Sequence, residues 1–262
     1  MTDKWAARTW RPHGAQDGYF AVCNEARFRR GALDEAARAA FFATGTAHVA
    51  WVRALVAAQA GADFRPARVL DFGCGVGRVL LPLAAGAERA VGCDVAPEML
   101  AEAAANARAA GLAHVELVES DDALTRVQGP FDLVHSFITF QHIPPARGER
   151  IAAGLLARLA PGGVAALHFT YHREAPLVRR AVHRMRRASR LADRAVLWAR
   201  GLPADEPFFP MFEYSPARLL ELFRAAGATA VHAALTDHGG HRGAMLVARM
   251  GPVGFEPTTE RL

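Results

Sequence analysis

Three glycines spaced two residues apart, Gly73, Gly75 and Gly77, follow the apolar run Val69-Leu70-Asp71-Phe72. Glycine enters left-handed backbone regions at little steric cost, so this spacing predicts a sharp turn without side chains on its inner surface. Between a strand and a helix of an open parallel sheet, such a turn lies at the carboxyl edge, where ligands bind. The pattern is Asp-x-Gly-x-Gly-x-Gly. A dinucleotide-binding fingerprint would need Gly or Ala at position 78, where this chain has Arg78.

The flanking grammar is that of alternating strands and helices. ARVLDFG, RAVGCDV, HVELVES, FDLVHSF and GVAALHFTY read as strands, and GVGRVLLPLAAG, PEMLAEAAANARAAG and PPARGERIAAGLLARLAPGG as helices between them. This order implies right-handed crossovers and an α/β, Rossmann-like sheet of seven mostly parallel strands with helices on both faces. SPARLLELFRAAG supplies a last helix, and ATAVHAAL with GAMLVARM a final pair of strands read as antiparallel. Residues 1–65 form an N-terminal helical lid segment, with LDEAARAAFFATG and TAHVAWVRALVAAQAG as amphipathic stretches and Asp34 and Thr46 as N-caps. Residues 66–250 form the main domain, with a cap insertion over 172–212, and 251–262 a disordered tail.

At 262 residues, 52% hydrophobic and 22% charged, the chain has the apolar content of a packed domain, which excludes a disordered or fibrous class. Cys23, Cys74 and Cys93 form no CxxC pair and are odd in number, which favours a reducing, cytoplasmic setting. No uncharged apolar run reaches the roughly 18 residues of a membrane span. The net charge of +5 is local in origin: segment 172–200 carries nine arginines against Glu174 and Asp193. Within it Leu177, Ala181, Met185, Ala188 and Leu191 recur at helical spacing, so an amphipathic helix with an arginine face is expected.

The glycine spacing resembles the first motif of class I S-adenosylmethionine (SAM) dependent methyltransferases, and the order of acidic residues after it agrees. In that family an acid ending the second strand holds the ribose hydroxyls, and Asp94 of VGCDVAPEML occupies that place. Both carboxylate oxygens accept, which suits two adjacent hydroxyls. An acid after strand three faces the adenine amino group; VELVESDDA offers Asp121 or its neighbour Asp122. The resemblance covers residues 65–170 and the helix-strand unit 215–249. It implies SAM as cofactor, held by Asp71, Gly73, Cys74, Gly75, Gly77 and Arg78 of the turn, by Asp94, Val95 and Met99 after strand two, by Asp121, Asp122 and Ala123 after strand three, and by Ser136 and Phe137 at strand four. The segment FDLVHSFITFQHIPP then lines the transfer site.

A sulfonium is already a good leaving group, so the protein needs chiefly to align an acceptor and exclude water, and no metal is required. His142, in FQHIPP, has a side-chain pKa near the working range and is the candidate base, with a structural role as the equal alternative. Gln141 stands beside it as a substrate-orienting group, Tyr171 and Phe140 near the substrate, and Tyr19 with Phe20 as part of a lid. His168 and Thr170 share one face of strand five and read as buried packing residues. Phe137, Phe140, Phe208, Phe209 and Phe212 suggest an aromatic wall, or equally a core. Cys74 and Cys93 read as small buried hydrophobes. Methyl transfer to an oxygen or nitrogen of a small molecule is the first expectation. The alternatives are an RNA methyltransferase using the 172–200 helix, or a non-catalytic SAM-binding module. The RNA reading lacks the Asn/Asp-Pro-Pro-Tyr/Phe group of amino-directed nucleic-acid methyltransferases. The Arg-rich insertion itself has three candidate roles: capping an acidic small molecule, lying on an anionic membrane, or contacting RNA phosphates.

Overall fold

The computed structural model describes residues 17–174, 181–182, 185–186, 189–201 and 210–251. Seven strands form one sheet in the order β3-β2-β1-β4-β5-β7-β6. They are β1 (Arg68–Phe72), β2 (Arg89–Asp94), β3 (Val115–Glu119), β4 (Phe131–Ser136), β5 (Leu159–Arg173), β6 (His232–Asp237) and β7 (His241–Arg249). β1 to β5 pair in parallel, and β7 runs antiparallel to both β5 and β6. The expected seven-stranded, mostly parallel Rossmann-like sheet is therefore the observed one, with the closing hairpin antiparallel as read. The strand order reverses between β1 and β4, which opens a crevice beyond their carboxyl ends.

The helices are α1 (Glu35–Ala60), α2 (Leu80–Ala84), α3 (Pro97–Ala109), α4 (Pro145–Leu156), α5 (Arg190–Ala199) and α6 (Pro216–Ala225). Strand residues alternate between two layers. Leu70, Val91, Val134 and Leu167 face α4 and α6, meeting Ile151, Leu155, Leu219 and Phe223. Val69, Ala90, Leu133 and Ala166 face α1 and α2, meeting Val49, Val52, Val56 and Leu80. Both faces are buried, which is why the central strands read as continuous apolar runs.

The two helical stretches expected before residue 60 are one 26-residue helix. Asp34 caps it, accepting from the Ala37 N–H at 2.7 Å. Thr46 is no cap: it lies mid-helix, and its hydroxyl donates to the Phe42 carbonyl at 3.3 Å. The length and hydropathy of α1 would suit a membrane span. Its stripe of Phe41, Gly45, Val49, Val52 and Val56 is instead buried inside the protein. Gly45 is what brings α1 onto the glycine turn, since a Cβ there would lie 1.9 Å from the Arg78 carbonyl oxygen.

GVGRVLLPLAAG is helical over less than half its length. The turn consumes its start, and only Leu80–Ala84 is α-helix. Segment 17–22 is helical and packs Tyr19 against Phe41 and Phe28 in a third cluster beside α3. In the Arg-rich stretch, residues 181–182 and 185–186 are helical, but Ser189 is extended and caps α5, accepting from the Ala192 N–H at 3.4 Å. Leu191 therefore belongs to a different helix from Ala181 and Met185, and the single amphipathic helix expected there is broken at Ser189. Leu177, Ala188, Phe208, Phe209 and the tail 252–262 lie outside the described residues.

Helix propensity alone would make Gly45→Ala stabilising by about 1 kcal/mol. Here the clash with the Arg78 carbonyl dominates. The substitution is expected to destabilise the fold by about 1–3 kcal/mol, measured by urea melts.

Candidate active site

A cleft of about 460 Å³ opens at the carboxyl edge where β1, β2 and β4 end. Its floor is the glycine turn, in which Gly73, Gly75 and Gly77 all have positive φ (76°, 53° and 92°). Side chains at the first two would also collide with neighbours: a Cβ on Gly73 would lie 2.4 Å from Thr139, and one on Gly75 2.9 Å from Val22. The turn is tied to β2. The Gly73 and Cys74 N–H groups donate to the Cys93 carbonyl at 2.8 and 3.1 Å.

Asp94 completes that tie through its side chain. Oδ2 accepts from the Gly75 N–H and Oδ1 from the Ala96 N–H, both at 3.0 Å. Each oxygen keeps acceptor capacity on the cleft, which Asp94 lines together with Val95 and Met99. Burial pushes its carboxyl pKa up, and the Ala96 and Gly75 amides oppose that shift. Asp94 does not cap α3, whose N-cap residue is Ala96.

After β3, both acids reach the cleft and both are already engaged. Asp121 accepts from the Thr125 N–H at 2.9 Å and from the Thr125 hydroxyl, so part of its role is the local turn. Asp122 is clasped by Arg147 of α4, whose Nε donates at 2.6 Å. Ala123 is exposed outside the cleft lining, and its carbonyl accepts from Arg158.

At β4 the structure divides the expected residues. Phe137 lines the cleft, whereas the buried Ser136 hydroxyl donates to the Phe72 carbonyl at 2.9 Å and lies behind it. Gly77 shapes the turn without lining the cleft, whereas Asp71, Gly73, Cys74, Gly75 and Arg78 all line it. Cys74 and Cys93 are buried, and burial raises both thiols, Cys74 well above its ordinary value.

Three of the expected substrate contacts are displaced. Tyr19 faces α3, donating to Glu102 Oε1 at 2.8 Å or Asn106 Oδ1 at 3.0 Å; burial, then the Glu102 hydrogen bond, push its hydroxyl up to about 12. The neighbouring Ala21, Val22 and Asn24 reach the cleft instead. Phe140 is fully buried and stacks between Phe72 and Phe169, with centroids at 5.5 and 4.6 Å. Tyr171 packs against the apolar core on the α4–α6 face of the sheet. Gln141 does line the cleft, and its Oε1 accepts from the Thr170 hydroxyl at 2.9 Å.

His142 also lines the cleft, with both ring nitrogens engaged. Nδ1 donates to the Pro210 carbonyl at 2.8 Å, and Nε2 accepts from the Gln141 amide at 3.1 Å. His241, at the start of β7, is a second cleft imidazole, which the sequence did not mark as part of the transfer site. Its Nδ1 is buried with no hydrogen-bond partner among the described residues. Burial, then the neighbouring Arg173 charge, lower its pKa. Its sequence signal was the His238-Gly-Gly-His241 pair in the loop between the last two strands, weighed as a metal pair and set aside.

A second unread feature lies under the cleft on the α1 face. Asp71 and His135 are register partners in β1 and β4, and His135 Nδ1 donates to Asp71 Oδ1 at 2.8 Å, both groups buried. His135 Nε2 then meets His48 Nε2 of α1 at 3.0 Å, and the His48 ring lies 3.9 Å from that of Phe137. His168 is buried as expected and is hydrogen-bonded to the Thr236 hydroxyl at 2.8 Å. These polar groups replace the apolar packing found lower on the same face. They fix Phe137 and the base of the turn together.

A crevice at the strand-order reversal, a glycine turn and an acid at the end of β2 thus meet at one edge of the sheet. Residues 69–163 match the family model described as methyltransferase domain. Over 100 residues (38% of this chain) it is 35% identical to an uncharacterised methyltransferase of Synechocystis sp.. That match spans 45% of the relative, less than half its length. Among solved structures, the magnesium protoporphyrin IX methyltransferase of Synechocystis with bound S-adenosylhomocysteine superposes with a TM-score of 0.56 at 18% identity. The superposition covers 84% of this chain and 89% of that one. The [4+2]-cyclase SpnF superposes with a TM-score of 0.52 at 20% identity, covering 77% and 81%. These two likenesses concern the fold.

Burial lowers His48 to about 2 and His168 to about 3, with neighbouring positive groups adding to the effect. In the unfolded chain both titrate near 6.5, so the unfolded state binds more protons below that pH. Stability is therefore full above pH 7 and falls on acidification, by about 1 kcal/mol per histidine at pH 5.5, read as a drop in melting temperature. His135→Ala leaves Asp71 as an unpaired buried carboxylate and is expected to cost about 3 kcal/mol at neutral pH in the same melts.

Proposed function

We propose that this chain transfers a methyl group from SAM to an oxygen or nitrogen of a small molecule. The observation that carries this reading is Asp94. Its two oxygens are pinned by the Gly75 and Ala96 amides and lie at the edge of a turn that no Cβ obstructs. That cradle fits the adenosyl half of SAM: vicinal hydroxyls donate to the two carboxylate oxygens, and the glycine backbone allows close approach. Val95, Met99 and Phe137 offer apolar surface beside it for the purine and the sulfur-bearing chain. When bound, SAM supplies a methyl group on a sulfonium, which needs no further activation.

The remaining task belongs to the residues on the β4–β5 side of the cleft. His142 and Gln141 form a tie that holds the Phe140–His142 turn to Pro210, so we assign them the placing of the acceptor. A hydroxyl acceptor must also lose a proton. We assign that proton to Nδ1 of His241, because it has no partner among the described residues, and its lowered pKa keeps it neutral and receptive at pH 7. Met211, Ile143 and Ile151 give the cleft an apolar rim that keeps out water, the competing partner for that hydrogen bond. The SpnF likeness is a reminder that this fold hosts more than one chemistry, so the reading rests on the site.

Calorimetry with S-adenosylhomocysteine tests the cradle. Asp94→Ala is expected to weaken binding about 10- to 100-fold, the worth of hydrogen bonds to a charged acceptor. Unchanged affinity would remove Asp94 from the ribose role. With a radiolabelled cofactor and a phenol or amine acceptor panel, His241→Gln should lower kcat for hydroxyl acceptors and keep S-adenosylhomocysteine affinity. The wild-type rate should be flat above pH 7 and fall in acid as His241 takes up a proton. His142→Asn should raise KM for the acceptor and leave that pH profile in place.

A further inference from the structure

Helix α5 presents its apolar side to solvent. Leu191, Ala195 and Trp198 stand at i, i+4 and i+7, so they share one face of the helix. Leu191 is 79% exposed and Trp198 85%, and Met185 in the preceding turn is 52% exposed. Leu197, on the opposite face, is buried. Most water-soluble helices are arranged the other way round, with the apolar side inward. Arg194 is exposed beside the apolar stripe and Arg200 follows at its end, neither with an ion pair among the described residues. Asp193, the only acid on the helix, turns inward to Arg186, whose Nε donates at 2.5 Å.

The position of this element matters as much as its composition. The chain leaves the sheet at the end of β5, where the Glu174 N–H donates to the Gly240 carbonyl at 2.7 Å. It returns at Pro210, whose carbonyl accepts from His142, and at Phe212, whose N–H donates to the Gln141 carbonyl at 2.7 Å. Met211 between them lines the cleft. Both ends of the insertion are therefore fastened to the rim of the candidate active site.

We propose that α5 docks the protein on an anionic lipid bilayer, with the cleft mouth toward the membrane. Exposed Trp and Leu suit the boundary between headgroups and acyl chains, where an indole ring can bury its body and keep its N–H wet. Segment 172–200 carries nine arginines against two acids in sequence, and the exposed Arg194 and Arg200 place part of that charge beside the stripe, complementary to anionic headgroups. Such a surface attracts each basic side chain within a Debye length and leaves the apolar stripe a place to bury. A phosphate backbone would use the arginines and leave Leu191 and Trp198 in water, which is why a bilayer accounts for more of the surface. The docking stands independently of methyl transfer. Together with the function proposed above, it makes the acceptor an amphiphile delivered from the bilayer.

The test is sedimentation of the full chain with vesicles. One set is phosphatidylcholine alone, and the other contains about one quarter phosphatidylglycerol. Pelleting is expected with the anionic vesicles, about tenfold weaker with the neutral ones, and reduced by salt. The double substitution L191E/W198E should weaken anionic-vesicle binding by about tenfold or more, while S-adenosylhomocysteine affinity stays that of the wild type. R194E should weaken it less and blunt the salt dependence. Absence of pelleting at low salt would overturn the proposal, as would undiminished pelleting of L191E/W198E. A wild-type dimer that L191E/W198E converts to monomer would assign the face to a second copy instead. Retention on RNA that the double substitution abolishes would assign it to nucleic acid.

Discussion

The Gly75 N–H given to Asp94, and the Gly73 and Cys74 N–H groups given to the Cys93 carbonyl, clamp the glycine turn to the end of β2. A turn built from three positive-φ glycines has much conformational freedom to lose, and it would wander if left to its own backbone. The clamp removes that freedom, and it also spends one lone pair of each Asp94 oxygen on the protein. What remains of the carboxylate is then aimed outward. Preorganisation and ligand recognition thus use the same side chain, so Asp94 is at once a structural residue and the one on which the proposed binding depends.

A second layer of support comes from below. Parallel registry puts Asp71 opposite His135, and helix α1 adds His48 to the pair. The two other demands on α1 are steric: Gly45 must have no side chain where it meets the Arg78 carbonyl, and its valines must fill the space over β1 and β4. The helix read as part of a lid is therefore a wall of the domain. The segments that overhang the cleft are the shorter one around Ala21, Val22 and Asn24 and the insertion returning at Met211.

Local grammar was legible in the chain to a large degree. The apolar runs of the strands and Asp34 as a cap describe interactions that span few residues. Reading failed where an interaction joined distant positions. The two helical stretches were read apart around Gly45, whose reason for being glycine lies 33 residues away, at Arg78. Tyr19 resembled a lid because Glu102 and Asn106, which hold its hydroxyl, are more than 80 residues on. His135 carried no pattern until strand pairing placed it beside Asp71, and the His238-Gly-Gly-His241 pair pointed to no cleft until the β6–β7 turn brought His241 back to it.

That distinction also bears on how the chemistry is divided. The half of the cleft that faces the cofactor in this reading is built chiefly from residues 71–99, close in sequence and constrained by one turn. The half that faces the acceptor draws on three separate segments: Gln141 and His142, tied to Pro210 and Thr170 by hydrogen bonds, then Met211, and His241. Substitutions in the first half alter a single rigid cradle and would be felt by any acceptor. Those in the second half change the relative placement of independent pieces, which is how one fold can keep its donor and exchange its acceptor. The insertion that carries α5 returns to the domain at Pro210 and Met211, beside His142, so it borders the half of the cleft assigned to the acceptor.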